Sequence, residues 1–424
     1  MIDIDLLRET PEVIEESVRR RGQEDKLPLI QQAVDLDSEW RSQKGSLDEL
    51  RRERNEVSES INKTKKAGGD ASALIEQAKQ LPGKIEKQEA LVSELREKID
   101  EILLTLPNML DEQVPDGADE EENVVIESVG EPAKLSFAAK SHVEILEELG
   151  LADFDAARRT SGKGFFFLKG SLALLDQALQ QYALDVMLDE GFTPVVPPYF
   201  IRREVIDGVV DMETFNELVF KVEDEDLYPI ATSEHSLVGM LTGSDTPVQE
   251  SPTLLCGISP CFRKELGAHG IDEKGLFRTH QFHKVEQVVV CKPEDSRAWF
   301  EKLLGITQKI FSGLGLPIRA LEMCTGDLGD LKSRQVDWEV FSPRREGYFE
   351  VGSCSNLTDA QARRLTIRLR LADGERVYAH TLNNTAIATS RAMVAIIENF
   401  QNADGTVDIP EVLHPYMRGV TKLK

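Results

Sequence analysis

The residues best equipped for chemistry lie between Cys261 and Glu286, in the stretch CFRKELGAHGIDEKGLFRTHQFHKVE. Arg263 and Glu265 are two apart in what reads as a strand, so the alternation of a pleated chain predicts that their side chains share a face. A Gly-rich loop follows, and Arg278 and Phe282 return on a second predicted strand. Such a hairpin offers one guanidinium to a phosphate, a carboxylate to an amino or ring nitrogen, a second guanidinium to another phosphate and an aromatic face to a purine. Taken alone, an Arg/Glu pair on a strand is also how an ordinary salt bridge looks. The chain has no G-x-x-x-x-G-K-[ST] loop, no G-x-G-x-x-G after a strand and no metal-spaced His or Cys cluster. A phosphate site here must therefore be built from arginines, and no zinc is expected.

From about residue 137 the texture is that of a scaffold for such a hairpin. Short β-branched runs such as GFTPVVPPYF (191–200), QFHKVEQVVVC (281–291), YFEVGSC (348–354) and RVYAHTLNNT (376–385) alternate with amphipathic helical stretches at 171–189 and 390–400. This pattern predicts an α+β domain over residues 137–424, built around a mainly antiparallel sheet.

Upstream, Leu27 to Leu106 is poor in proline and aromatics and carries apolar residues at spacings of three and four. One stripe runs through Ala33, Leu36, Trp40, Leu47, Leu50, Val57 and Ile61, a second through Leu74, Leu81, Ile85, Val92, Leu95, Ile99 and Ile102, with Ala67-Gly68-Gly69-Asp70 between them. Two such segments around a Gly-Gly turn predict an antiparallel coiled-coil hairpin within a domain spanning 1–110. Pro82-Gly83 predicts a kink or a late start for the second helix. The acidic, Pro- and Gly-bearing stretch 111–136 reads as a linker. Residues 51–66 hold six basic side chains, Arg51, Arg52, Arg54, Lys63, Lys65 and Lys66, against three acidic ones. On pattern alone this is a spacer or dimerisation coiled coil with a solvated face; the basic surplus near the tip is what an RNA contact needs.

That surplus stands out because the 424-residue chain as a whole has 50 basic and 75 acidic residues, a formal charge of −25, which excludes a general nucleic-acid coat. The five cysteines, Cys256, Cys261, Cys291, Cys324 and Cys354, form no C-x-x-C pair and read as reduced, buried thiols. The N-terminus lacks a basic and apolar leader, and no apolar run approaches membrane-span length, so a cytoplasmic protein is expected.

Three segments together resemble the class II aminoacyl-tRNA synthetases: GFTPVVPPYF ending a long helix resembles their motif 1, Arg263-Lys264-Glu265 to Arg278-x-x-x-Phe282 resembles motif 2, and LNNTAIATSRAMVAIIEN with Arg391 resembles motif 3. Within the class the chain is most similar to the seryl-tRNA synthetases, by Thr232-Ser233-Glu234, by Glu286, and by Glu350-Val351-Gly352-Ser353-Cys354-Ser355-Asn356. It departs from their usual pattern at Gly352, at Asn384-Thr385 and at Pro82.

The resemblance implies activation of L-serine by ATP and transfer to tRNA(Ser), with tRNA(Sec) as a second candidate acceptor. It implies that Arg263 and Arg391 are catalytic and that ATP contacts Arg263, Lys264, Glu265, Arg278, Phe282, Glu350, Val351, Gly352, Ser353 and Arg391. Serine would meet Thr232, Ser233, Glu234, Arg263, Glu286 and Thr385. Glu350 and Ser353 would hold Mg2+, the hairpin tip would bind tRNA, and the chain would be a homodimer. Two rivals are a relative that loads a carrier protein, against which the long hairpin weighs, and a coiled-coil scaffold with a degenerate catalytic domain, against which the presence of Arg263, Glu265, Phe282, Glu350 and Arg391 weighs.

Overall fold

The computed structural model describes residues 1–132, 134–211, 215–265 and 275–424, with the backbone alone for residues 216 and 217. The chain divides into two compact units, Met1–Pro107 and Asn108–Lys424.

In the first unit, short helices at Ile4–Glu9 and Pro11–Arg20 precede two long ones, α1 (Leu27–Lys66) and α2 (Ser72–Thr105). The expected turn separates them. Gly68 takes φ +71°, a left-handed backbone that glycine tolerates at a helix end, and the Asp70 carboxylate accepts from the Ser72 amide and hydroxyl to open α2. The two helices pair antiparallel, burying Ala33, Leu47 and Val57 of α1 and Leu81, Ile85, Leu95 and Ile99 of α2. Gln88 Nε2 donates to Gln43 Oε1 at 2.8 Å within the seam, a polar layer that penalises slippage. The second helix does not start late at Pro82: α2 runs from Ser72 through Pro82 to Thr105. Its neighbours Leu81 and Ile85 are buried, and this packing outweighs the one hydrogen bond that proline removes.

The second unit is organised on an eight-stranded sheet made of β1 (Val124–Val129), β2 (Thr193–Val195), β3 (Thr253–Phe262), β4 (Gln281–Cys291), β5 (Ile318–Glu322), β6 (Arg334–Ser342), β7 (Gly347–Asn356) and β8 (His380–Ala388). Their spatial order is β1-β5-β6-β7-β8-β4-β3-β2, antiparallel throughout except for β2 beside β3. The stretch 111–136, expected as a linker, belongs to this unit: its β-branched run Val124-Val125-Ile126 forms the edge strand β1 on β5. The run 376–385, expected as one strand, is divided between Arg376–Tyr378, in a separate small sheet, and β8.

Helices α3 (Gly170–Asp189), α4 (Ser233–Gly239), α5 (Ser296–Gly313) and α6 (Thr389–Asn399) complete the part that matters for the site. Leu172, Leu175 and Leu179 of α3, Phe300, Leu303 and Phe311 of α5, and Met393, Ile396 and Ile397 of α6 share one core with Val285 and Val289 of β4. Val288 and Val290, on the opposite face, share a second core with Leu237 and Val238 of α4. The alternation of β4 thus feeds two cores at its far end. At its near end the same face that carries Val288 and Val290 presents Phe282, Lys284 and Glu286, and there a cavity replaces the core. All five cysteines are buried and unpaired.

Candidate functional site

Two adjoining concavities open on this face. The outer cleft is lined by Arg263, Glu265, Phe277, Arg278, Phe282, Val351, Gly352 and Arg391, among others. The inner pocket, about 370 Å³, is lined by Thr232, Glu234, His235, Glu286, Lys332, Asp337, Ser353 and Asn383, among others. Arg263, Lys284, Glu350 and Thr385 line both and form the wall where the two meet.

Strand geometry supplies these side chains, with one correction. Arg263 and Glu265 do not sit on a strand, because β3 ends at Phe262 and Glu265 adopts φ +50°. They line the outer cleft through a turn out of the sheet rather than through alternation. Arg263 is held there by its amide, which donates to His280 O at 3.0 Å, and by Nε, which donates to Ala231 O at 3.3 Å; its guanidinium carbon lies 5.3 Å from the Phe282 ring centre. Arg278 pairs with Glu265 at 3.0 Å. The Gly-rich loop between them, 266–274, lies outside the described residues.

On β7, Glu350 and Ser353 are three apart and would face opposite sides of a regular strand. A bulge opposite Trp338 and Glu339 inserts Val351, and both side chains reach the inner pocket. A second bulge, on β8 after Thr385, brings both Thr385 and Ala388 to the outer cleft. Arg391, in the first turn of α6, binds the Glu350 carboxylate and carbonyl at 2.8 and 2.9 Å and lies over the Phe277 ring at 5.2 Å. Arg391 holds the Glu350 carboxyl below its ordinary range despite burial. Asp337, opposite Ser353 on β6 and hydrogen-bonded to it, is pushed up to about 7 by burial and by the charge of Glu350.

These donors are all oxygen, and the pair Asp337 and Glu350 resists a second negative charge, which a hard divalent cation would relieve. The site therefore fits Mg2+. Among the described residues no group of three or more His, Cys, Asp or Glu side chains is arranged to hold a metal by itself, so such an ion would share its ligands with a bound phosphate.

In the inner pocket Thr232 caps α4, its Oγ1 accepting from the Glu234 amide at 3.2 Å. Glu234 accepts from Gln361 Nε2 at 2.8 Å, and burial followed by the charge of Glu286 pushes it up to about 7. Burial, then the nearby Lys284, drives His235 down to about 3, leaving it neutral. Glu286 is buried, 2.6 Å from Lys284.

Most of the expected residues converge on the two concavities. Ser233 and Lys264 line neither. Ser233 is fully buried against Gly257 of β3, where a Cβ would collide with its hydroxyl, and the Lys264 amide donates to Leu218 O. Asn384 is also turned away, its Nδ2 donating to Leu303 O and Thr307 Oγ1 of α5 at 2.7 and 2.9 Å. Two of the three departures from the family pattern meet in space: a Cβ on Gly352 would stand 3.3 Å from the Thr385 carbonyl oxygen, 3.4 Å from its Cβ and 3.7 Å from its methyl group. Lys284, Asp337, His235 and Phe277 escaped the sequence reading. The β4 alternation could have revealed Lys284; Asp337 needed the β6–β7 register.

In the first unit, Arg51 pairs with Glu89 at 2.8 Å across the hairpin, Arg52 lies 3.7 Å from Glu56 and Arg54 donates to Asn55. Lys63, Lys65 and Lys66 are exposed in the last turn of α1, where the helix dipole also favours cations.

Comparison with known proteins agrees over the whole chain. Residues 1–110 match the family model of the seryl-tRNA synthetase N-terminal domain, and residues 219–400 match that of the class II tRNA synthetase core domain (G, H, P, S and T). A serine–tRNA ligase of Methanocella arvoryzae is 48% identical over 100% of both chains, and one of Pyrococcus horikoshii is 43% identical over 98% of this chain and 96% of its own. The crystal structure of seryl-tRNA synthetase from Pyrococcus horikoshii complexed with ATP superposes with a TM-score of 0.92 at 42% identity, covering 100% of this chain and 99% of that one. A cytoplasmic serine–tRNA ligase from Naegleria fowleri in complex with AMP gives 0.88 at 33%, with the same coverage. The chain belongs to the seryl-tRNA synthetase family.

Proposed function

We propose that the chain is an ATP-dependent ligase that activates L-serine to seryl-adenylate and transfers the seryl group to the 3′ end of tRNA(Ser), with tRNA(Sec) a second candidate acceptor. The observation that carries this reading is the shared wall: Arg263 stands between an arginine-rich outer cleft and an acid-lined inner pocket. An amino acid whose ammonium meets the inner carboxylates places its own carboxylate at that wall, facing the α-phosphate of a nucleotide in the cleft.

The serine carboxylate is itself the nucleophile, so the first step needs positioning and charge neutralisation rather than a general base. Arg263 grips the α-phosphate and the serine carboxylate, Arg278 and Arg391 the distal phosphates, and Phe282 the adenine. Glu265, Val351 and Gly352 shape the nucleotide side. Glu350 and Ser353 would hold Mg2+, which would supply neutralisation of phosphate charge. Thr232 and Glu234 receive the ammonium; Glu286 and Thr385 receive the side-chain hydroxyl. A site built on that hydrogen bond rejects alanine far better than a simple apolar pocket.

Arg51, Arg52, Arg54, Lys63, Lys65 and Lys66 meet the tRNA backbone. A homodimer is supported by the apolar residues left exposed around the end of α3 and β2, namely Leu188, Val196 and Phe200. A cytoplasmic setting is in keeping with five unpaired cysteines, and no described helix is long and apolar enough to cross a membrane. ATP–pyrophosphate exchange across the twenty amino acids, with charging of total tRNA alongside, tests the assignment. Exchange is expected with serine foremost, and exchange driven equally by another amino acid would refute it.

A further inference from the structure

Of the three side chains that β4 presents in a row to the site, Phe282 and Glu286 have places in the reading above and Lys284 has none. It is 5% exposed, and lysine is rarely so buried without a partner. Its Nζ lies 2.6 Å from Glu286 Oε2, both side chains pointing from the same face of the strand. That contact is a buried, charge-assisted ion pair, and Glu286 has a second carboxylate oxygen besides the one it engages. The pocket that both residues line also contains Thr232 and Thr385.

We propose that Lys284 is a specificity-determining positioning residue, whose buried ammonium keeps Glu286 a hydrogen-bond acceptor for the side-chain hydroxyl of the bound amino acid. The proposal rests on the serine-activating reading. The charged and titratable groups around Glu286 show why a cation is needed. From α4 come Glu234 and the neutral His235; from β3, Cys256; from β6, Asp337; from β7, Glu350 and Cys354; from the connecting segments, Arg263 and Lys332. Arg263 is engaged at the wall, Glu350 is paired with Arg391 and Lys332 Nζ donates to Gln335 Oε1, while the Lys284 ammonium lies 2.6 Å from Glu286. A carboxyl buried beside another carboxyl without such a cation takes up a proton and becomes a donor. It would then compete with the substrate hydroxyl instead of receiving it.

The test is Lys284→Met, which keeps the unbranched length and removes the charge. Serine- and alanine-dependent pyrophosphate exchange are measured between pH 6 and 9, together with the KM for ATP. Serine kcat/KM is expected to fall on the order of tenfold or more at the acid end, alanine much less, and the KM for ATP little. The loss for serine should shrink as pH rises and Glu286 regains its charge. The double variant Lys284→Met/Glu286→Gln buries no charge, so it guards against a single variant that fails to fold. It should discriminate serine from alanine less well than the native protein at every pH, with no pH trend. An unchanged serine-to-alanine ratio, or serine, alanine and ATP parameters falling in parallel at all pH values, would overturn the proposal. Absence of serine-dependent exchange in the native protein would instead overturn the assigned reaction.

Discussion

The hairpin tip and the site in the sheet unit place charge in different ways. Along most of the helical hairpin the ion pairs are solvent-exposed, as Arg52 and Glu56 at 73% and 70% and Lys98 and Glu94 at 51% and 60% show; Asp37 near its base, paired with Arg41, is the buried exception. In the sheet unit the pairs Lys284–Glu286 and Arg334–Glu322 are at most 11% exposed. An exposed pair contributes about 0–1 kcal/mol, whereas removing one partner of a buried pair costs about 3–5 kcal/mol. Function on the hairpin must therefore come from many interchangeable charges, and function in the sheet from single irreplaceable ones.

The sharpest way to break this comparison is at the shared wall. Arg263→Ala should lower serine-dependent pyrophosphate exchange by roughly 1,000-fold or more, because the other described cations lining the cleft, Lys284, Arg278 and Arg391, are each paired with a carboxylate. Near-native exchange in that variant would show that the wall is not where the chemistry occurs. On the hairpin, deleting Arg54 to Ile85 should reduce tRNA charging by roughly 100-fold or more while leaving exchange intact, since every residue assigned to adenylation lies in the other unit. If both activities fell together, the hairpin would be a structural support rather than an RNA-binding element.

Smaller changes sharpen the contrast. Thr385→Val, nearly isosteric, should narrow the preference for serine over alanine by about tenfold; an unaltered preference would remove Thr385 from the hydroxyl site. Replacing Lys63, Lys65 and Lys66 with Gln should weaken tRNA binding by only a few-fold at low salt and flatten its salt dependence, as fewer counterions are released. A slope equal to that of the native protein would mean that these lysines only solvate the helix end.

The smallest effect concerns the rear of β4. His283 Nδ1 lies 2.9 Å from Asp176 Oδ2 on α3, and this hydrogen bond raises the imidazole above its ordinary 6.5. Because the folded value is the higher one, the stabilisation is complete below pH 6.5 and is lost as pH rises through the raised value. Denaturant titrations of His283→Gln should lose this part of the pH dependence, with little change below it in the rank order of substrates.

Much of this was legible in the sequence where the information is local. The strand 281–291, the helices near 171–189 and 390–400, and the hairpin with its Gly-Gly turn follow from periodicity and turn chemistry within windows of ten to forty residues. Within the expected linker the strand Val124–Val129 was missed because it is short and follows directly on the acidic turn Glu120–Glu122, and only its pairing with β5 marks it. Asp337 and the two bulges were illegible for the same reason. A bulge is a mismatch between two strands, and neither strand carries it alone. Gly352 and Thr385 read as separate irregularities in the sequence and are neighbours in the fold.

The five buried cysteines have a practical consequence. Burial pushes the Cys256 and Cys291 thiols up to about 12 and raises Cys261 and Cys354 as well, so thiolate, the form that attacks alkylating reagents, is scarce in the native protein. All five belong to the sheet unit and none to the hairpin. The rate at which iodoacetamide labels the chain is thus a clock for the opening of the catalytic unit alone, and fraying of the helical hairpin leaves that clock untouched.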